Sequence, residues 1–200
     1  MDSVDYYNKY ANLYFDSTVN LDLSEILKRF MEYLEPGDTV LDLGCGSGRD
    51  SKIMLENGLE VTLLDASQEL CELADIYTGV EPLCMDFREM DFHEVFQGIW
   101  ACASLLHVGK DEIEGILNQI LAALKPGGTF YMSVKKGSFE GFRRERYFAD
   151  YSVEELQQLF QRIPEFRLID IWETEDVRIA RNQEKWLNVL AVRRTDLEAE

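Results

Sequence analysis

A chain of 200 residues that is 46% hydrophobic and 29% charged can bury a core and is too apolar to be disordered. Its formal charge of −18 disfavours nucleic acid and anionic membrane surfaces, because both are bound largely through Lys and Arg. The start, Met1 to Asp5, lacks the layout of a signal peptide, and the longest apolar runs, such as Ile99 to Leu106, are too short to span a bilayer. A cytoplasmic protein is expected. Cys45, Cys71, Cys84 and Cys102 form no CxxC pair and no zinc pattern, so they read as small buried hydrophobes, and no metal is expected.

The first segment is aromatic: Tyr6, Tyr7, Tyr10, Tyr14 and Phe15. The spacing places Tyr7, Tyr10 and Tyr14 on one helical face, as a packing surface or a lid over a pocket. Asp22 or Ser24 can cap the next helix, whose apolar stripe runs Leu23, Ile26, Leu27, Phe30, Met31 and Leu34. Glu35 to Asp38 ends it with turn chemistry. Strand one is Thr39 to Leu43. Gly44, Gly46 and Gly48 then lead into a helix that stops near Asn57 and Gly58. Strand two is Glu60 to Asp65, and Ser67 caps a helix carrying Leu70, Leu73, Ala74 and Tyr77.

Strand three lies near Glu81 to Met85, and strand four within Phe96 to Ser104. Asp111 is expected to cap the helix that bears Ile113, Ile116, Leu117, Ile120, Leu121 and Leu124. Lys125 to Gly128 reads as a hard turn into strand five, Thr129 to Val134. Lys135 to Tyr147 is the one clearly basic stretch, read as a loop that binds an anion or balances an acidic surface. Ser152 caps a further helix, and the last strands are Phe166 to Trp172 and Trp186 to Arg193. The tail, Thr195 to Glu200, reads as a fraying end. Alternating strands and helices imply a parallel sheet covered on both faces, with its ligand at the carboxyl ends of the strands. One domain is expected: residues 1–35 as a helical cap, 36–134 as the ligand-binding half and 135–200 as the remaining half.

The glycines give GxGxG, not the dinucleotide GxGxxG, since Arg49 stands at the third fingerprint position. Acids end the next two strands at Asp65 and Asp86, and Asp42 precedes the first glycine. Together with Val40 to Gly48, Leu64 to Ser67, Met85 to Phe87 and Leu124 to Gly128, this arrangement resembles the class I S-adenosylmethionine-dependent methyltransferases, including small bacterial members. The resemblance implies a Rossmann-like α/β fold. Its seven-stranded, mostly parallel sheet has the order 3-2-1-4-5-7-6, with strand seven antiparallel.

The resemblance also implies a cofactor, S-adenosyl-L-methionine, and in-line displacement of its methyl group, leaving S-adenosyl-L-homocysteine. Gly44, Cys45, Gly46 and Gly48 would cradle its methionine part, with Asp42 as brace or amine acceptor. Asp65, next to Ala66, would hold the ribose. Asp86 would reach the adenine, flanked by Met85 and Phe87, and Ala101 and Leu105 would line the other side. Tyr14 would close over the cofactor. His107, after strand four, is a candidate base or substrate contact; His93 is incidental. Tyr10, Arg143, Arg146, Tyr147 and Arg178, with Arg181, are candidates for binding a small, anionic acceptor. A protein methyltransferase, a non-catalytic module of the same fold and a nicotinamide enzyme stay open as alternatives. So does the choice of monomer or homodimer.

Overall fold

The computed structural model describes residues 3–178 and 183–195, so Arg181 and the tail after Thr195 lie outside the described residues. Nine strands and seven α-helices are found among them. The main sheet is built from β1 (Thr39–Leu43), β2 (Glu60–Asp65), β3 (Leu83–Cys84), β4 (Phe96–Ala101), β5 (Leu124–Lys135), β8 (Phe166–Glu175) and β9 (Lys185–Arg193). Its order is β3-β2-β1-β4-β5-β9-β8. Six strands point the same way, and β9 alone runs against them, antiparallel to both β5 and β8. This is the expected Rossmann-like sheet.

Period-two alternation divides the core between the two faces. Leu41, Leu43, Ile99, Phe130 and Met132 pack with α6 (Ile113–Ala123) and α7 (Val153–Gln161). Val40, Leu63, Trp100 and Tyr131 pack on the other face with Leu27 and Phe30 of α3 (Ser24–Met31) and Met54 of α4 (Arg49–Glu56). Trp100 and Tyr131 are register partners, and their rings stack with centroids 3.9 Å apart. Full burial of a side chain such as Leu27 contributes roughly 1.5–3 kcal/mol.

Local chemistry sets most of the ends. Ser67 accepts from the N–H of Leu70 to cap α5 (Gln68–Thr78), and Ser152 forms a capping box with Glu155 on α7. Asp22 accepts from Ser24 N–H but is not the N-cap of α3. Asp111 does not cap α6 either; that helix starts beyond Glu112 without a side-chain cap.

Three further expectations are corrected. The tyrosine segment is two helices, α1 (Ser3–Lys9) and α2 (Ala11–Thr18), broken at Tyr10, whose φ is −116° and ψ 21°. The break puts Tyr10 against Tyr6, at 4.8 Å, while Tyr7 meets Tyr14 at 5.0 Å. Lys125 to Gly128 is not a turn ahead of β5 but an excursion within it: pairing with β4 slips from Phe96↔Leu124 to Gly98↔Thr129. The basic stretch is not a loop; it contains most of a hairpin, β6 (Glu140–Arg143) against β7 (Arg146–Ala149). The cysteines are all free, but Cys84 is exposed and Cys102 only half-buried.

Candidate active site

At the carboxyl ends of β1, β2 and β4 the structure encloses a cavity of about 400 Å³, within the usual size of small-molecule sites. Its floor is the backbone of Gly44 and Gly46. Gly44 has φ +81°, and a Cβ there would come within 2.4 Å of the Cβ of Ser104, so only glycine fits. A Cβ on Gly46 would sit 3.1 Å from the Tyr14 ring, which covers the loop. Asp65 ties this corner together. One carboxylate oxygen accepts from Gly46 N–H and the other from Ser67 N–H, each at 2.9 Å. Burial raises the Asp65 pKa, and the backbone donors of Ser67, Gly46 and Ala66 work against that rise.

Asp86, Phe87 and Arg88 form another part of the lining. Asp86 caps its own short turn by accepting from Arg88 N–H at 2.8 Å, and it pairs with the Arg88 guanidinium at 3.1 Å. Ser104 Oγ is buried and has no hydrogen-bond partner among the described residues. The charged lining is Asp65, Asp86, Asp111 and Glu112 against Arg88 alone, so the cavity is acid-rich.

A second cavity of about 130 Å³ lies beyond a shared wall of Tyr7, Tyr14, Ala103 and His107. His107 is fixed at both nitrogens. Nδ1 faces the Tyr147 carbonyl at 2.6 Å, so it must carry the hydrogen, and Nε2 therefore accepts from the Tyr7 hydroxyl at 2.9 Å. Desolvation lowers the His107 pKa to about 4; the Tyr147 carbonyl opposes this, while the charges of Arg146 and Lys135 add to it. The imidazole is neutral at physiological pH. Arg146 Nη1 in turn donates to the Tyr7 oxygen at 3.2 Å.

A family model described as "Methyltransferase domain" matches residues 40–128, the stretch from β1 into the β5 excursion. That match falls on the glycine corner and both acids of a sheet with this strand order.

Residues 40–128 carry a methyltransferase domain, on a sheet with the strand order of the class I S-adenosylmethionine-dependent methyltransferases.

Among its curated relatives are a Streptomyces cypemycin N-terminal methyltransferase and a Xanthomonas campestris ubiquinone biosynthesis O-methyltransferase. The first is 34% identical over 101 residues, 48% of this chain and 41% of the relative. The second is 31% identical over 105 residues, 49% of this chain and 43% of the relative. The chain thus spans less than half the length of these relatives. The fold is also that of the Burkholderia thailandensis 1,6-didemethyltoxoflavin-N1-methyltransferase, solved with bound 1,6-didemethyltoxoflavin and S-adenosylhomocysteine. There the TM-score is 0.74 at 24% identity, over 96% of this chain and 85% of that one.

The larger cavity fits the family's cofactor. Bare backbone at Gly44 and Gly46 leaves room that a side chain would fill, and Asp65 keeps lone pairs beyond its two backbone bonds. An acid-rich lining suits a sulfonium and an ammonium, and it is a poor setting for the pyrophosphate of a nicotinamide dinucleotide.

Of the residues singled out in the sequence, Gly44, Gly46, Asp65, Ala66, Asp86, Phe87, Tyr14, His107 and Tyr147 line the larger cavity. The others lie elsewhere. Asp42 is buried beneath the loop, where it accepts from the Ser51 hydroxyl at 2.5 Å. Burial, then repulsion from Asp50, raises its pKa to about 7. Cys45 packs into the core, and Gly48 N-caps α4 against Thr78 and Ala74. Ala101 and Leu105 are fully buried, and Met85 packs on the core. Tyr10 lines neither cavity.

The basic candidates separate. Arg143 is bound by Asp150, and a Cβ-less Gly137 lets that carboxylate approach. Arg178 lines the smaller cavity but is held by Asp176. Burial works against that carboxylate's charge, yet the Arg178 donors and the Trp186 indole outweigh it and hold Asp176 at about 2. Arg146 also lines the smaller cavity. Sequence reading placed Ser104 at the rim but missed that its hydroxyl is orphaned, and it missed Tyr7 as a partner of His107 and Asp111 and Glu112 as lining. Only the position of Ser104 just after strand four carried a signal. Among the described residues no His, Cys, Asp and Glu cluster is placed to hold a metal ion, and no helix is long and apolar enough to cross a membrane.

Proposed function

We propose that this chain binds S-adenosylmethionine in the larger cavity and methylates a small acceptor presented through the shared wall. The observation that carries this reading is Asp65, braced by Gly46 and Ser67 N–H at the centre of an acid-rich cavity floored by glycine backbone.

Asp65 accepts from the ribose hydroxyls, and Asp86 with Phe87 receives the adenine. Gly44 and Gly46 let the amino-acid part lie on backbone, and Tyr14 covers it. Asp42, Cys45, Gly48, Met85, Ala101 and Leu105 act from behind, by fixing the loop and the cavity walls. When bound, the cofactor supplies an electrophilic methyl group on a sulfonium. Residues 36–134 form the cofactor half; 135–200 contribute the hairpin and acceptor side, and 1–35 cover both. His107 is a positioning residue: its neutral ring holds the Tyr7 hydroxyl at the wall. A base role would require Nε2 to be released from Tyr7. The four free thiols suit a reducing cytoplasm.

A second reading, cofactor binding without turnover, draws on the Tyr7 ring standing between the cavities. One experiment separates the readings. Methyl-labelled S-adenosylmethionine is incubated with the protein and a cell extract, and label is counted in small-molecule and macromolecular fractions. Label in the small-molecule fraction, lost in Asp65→Ala, is the expected result. Label in protein would favour a protein methyltransferase. No transfer despite calorimetric binding of S-adenosylhomocysteine would favour the non-catalytic module.

A further inference from the structure

The two cavities share a wall but differ in charge. The larger is acid-rich. The smaller has apolar sides, including Leu23, Ile26, Leu106, Phe148 and Trp186, and is bordered by four cations. Three of the four are neutralised by carboxylates: Arg49 by Asp50, Lys135 by Glu184 and Arg178 by Asp176. Glu175, also in the lining, is exposed at the end of β8.

Arg146 differs from the other three. Among the described residues no carboxylate pairs with it. Its guanidinium lies 4.5 Å from the centroid of Tyr6 and 5.0 Å from that of Phe148. Nη1 donates to Tyr7, and Nε is buried with no hydrogen-bond partner among the described residues. Stacking on rings holds a guanidinium in place but does not neutralise it, and an uncompensated, partly desolvated cation favours an incoming anion. The same positive field reaches the wall, where Arg146 and Lys135 both help to keep His107 neutral.

We propose that the smaller cavity is the acceptor chamber and that Arg146 binds the single anionic group of a small, apolar-bodied monoanion, such as an aromatic carboxylate. This rests on the methyl-transfer reading above. One unmatched cation selects one negative charge; a dianion would leave its second charge among apolar walls. A chamber of about 130 Å³ limits the enclosed body to about one ring.

The test is calorimetric binding of benzoate, benzamide and phthalate to the full chain saturated with S-adenosylhomocysteine. Wild type, Arg146→Gln and Arg146→Lys are compared. Benzoate is expected to bind wild type at least about tenfold tighter than benzamide or phthalate, the scale of a charge-assisted hydrogen bond. Arg146→Gln should lose that preference and Arg146→Lys retain part of it, while S-adenosylhomocysteine affinity changes by less than about threefold. Equal binding of benzoate and benzamide overturns the proposal. So does an unchanged preference in Arg146→Gln, or no benzoate binding by a protein that binds S-adenosylhomocysteine. If wild type fails to bind S-adenosylhomocysteine, the methyl-transfer reading falls separately, and benzoate against benzamide on the unliganded protein still decides the chamber. If Arg146→Gln does not fold, wild type and Arg146→Lys decide it.

Discussion

Tyr7 and His107, 100 residues apart in the chain, share a hydrogen bond of 2.9 Å in which the phenol donates to Nε2. The bond joins the first helix to the turn after β4 and forms part of the wall between the two cavities. Tyr7→Phe removes it and also the acceptor for Arg146 Nη1. The expected loss is about 1 kcal/mol of stability, or a Tm lower by roughly 2–4 °C. Calorimetric unfolding of the variant and wild type measures it directly.

The lowered pKa of His107, at about 4, has a definite sign in stability. Between about pH 4 and the unfolded value near 6.5, the unfolded chain binds more protons at this site. Its contribution is therefore complete above about 6.5 and is lost as pH falls towards 4. Urea midpoints should decline over that window, and His107→Asn should flatten the decline. The activity profile should show no histidine inflection near 6.5.

Asp42 has the opposite sign. Its folded pKa is raised to about 7, chiefly by burial, so its favourable contribution is present below about 3.8 and lost as pH rises through 7. Asp42→Asn keeps an acceptor for the Ser51 hydroxyl and cannot ionise. Measured by thermal unfolding from pH 4 to 8, the variant should gain steadily on wild type and level off above 7.

Asp65→Ala removes the acceptor of two backbone N–H bonds and the carboxylate facing the larger cavity. Affinity for S-adenosylhomocysteine should fall by about tenfold to a hundredfold, the range for hydrogen bonds to a charged group. Asp86→Ala gives a useful contrast. Asp86 is partly engaged by Arg88, so its loss should weaken binding less. Titration calorimetry ranks the two variants.

The parallel half of the fold was legible because its elements carry their own punctuation. Thr39 to Leu43 sits between a Pro-Gly turn and three glycines, and the helix after β2 opens on a serine that does cap it. The hairpin was hidden. Its strands are four residues each, rich in arginine, and their stability draws on Asp150 and on rings from the first helix. The GxGxG spacing pointed to the corner but not to how its residues divide. Gly44 and Gly46 face the cavity, while Gly48 faces Thr78 and Ala74, a helix contact that no local pattern encodes. Charge counts likewise singled out Arg143, Arg146 and Arg178 alike. Only tertiary partners distinguish the unpaired one.

Helix α1 has no buried residue of its own. It is held by polar contacts to both halves of the chain: Asn8 with Ser67 at 2.8 Å, Ser3 with Tyr147 N–H at 3.2 Å, Lys9 with Glu145 at 3.6 Å and Tyr7 with His107. Ser67 N–H donates to Asp65, and Tyr147 and His107 border the cavities. A ligand that touches α1 in the larger cavity would therefore favour its docked position. By linkage, whatever free energy a ligand contributes by touching Tyr7 only while α1 is docked must return as protection of that helix from proteolysis.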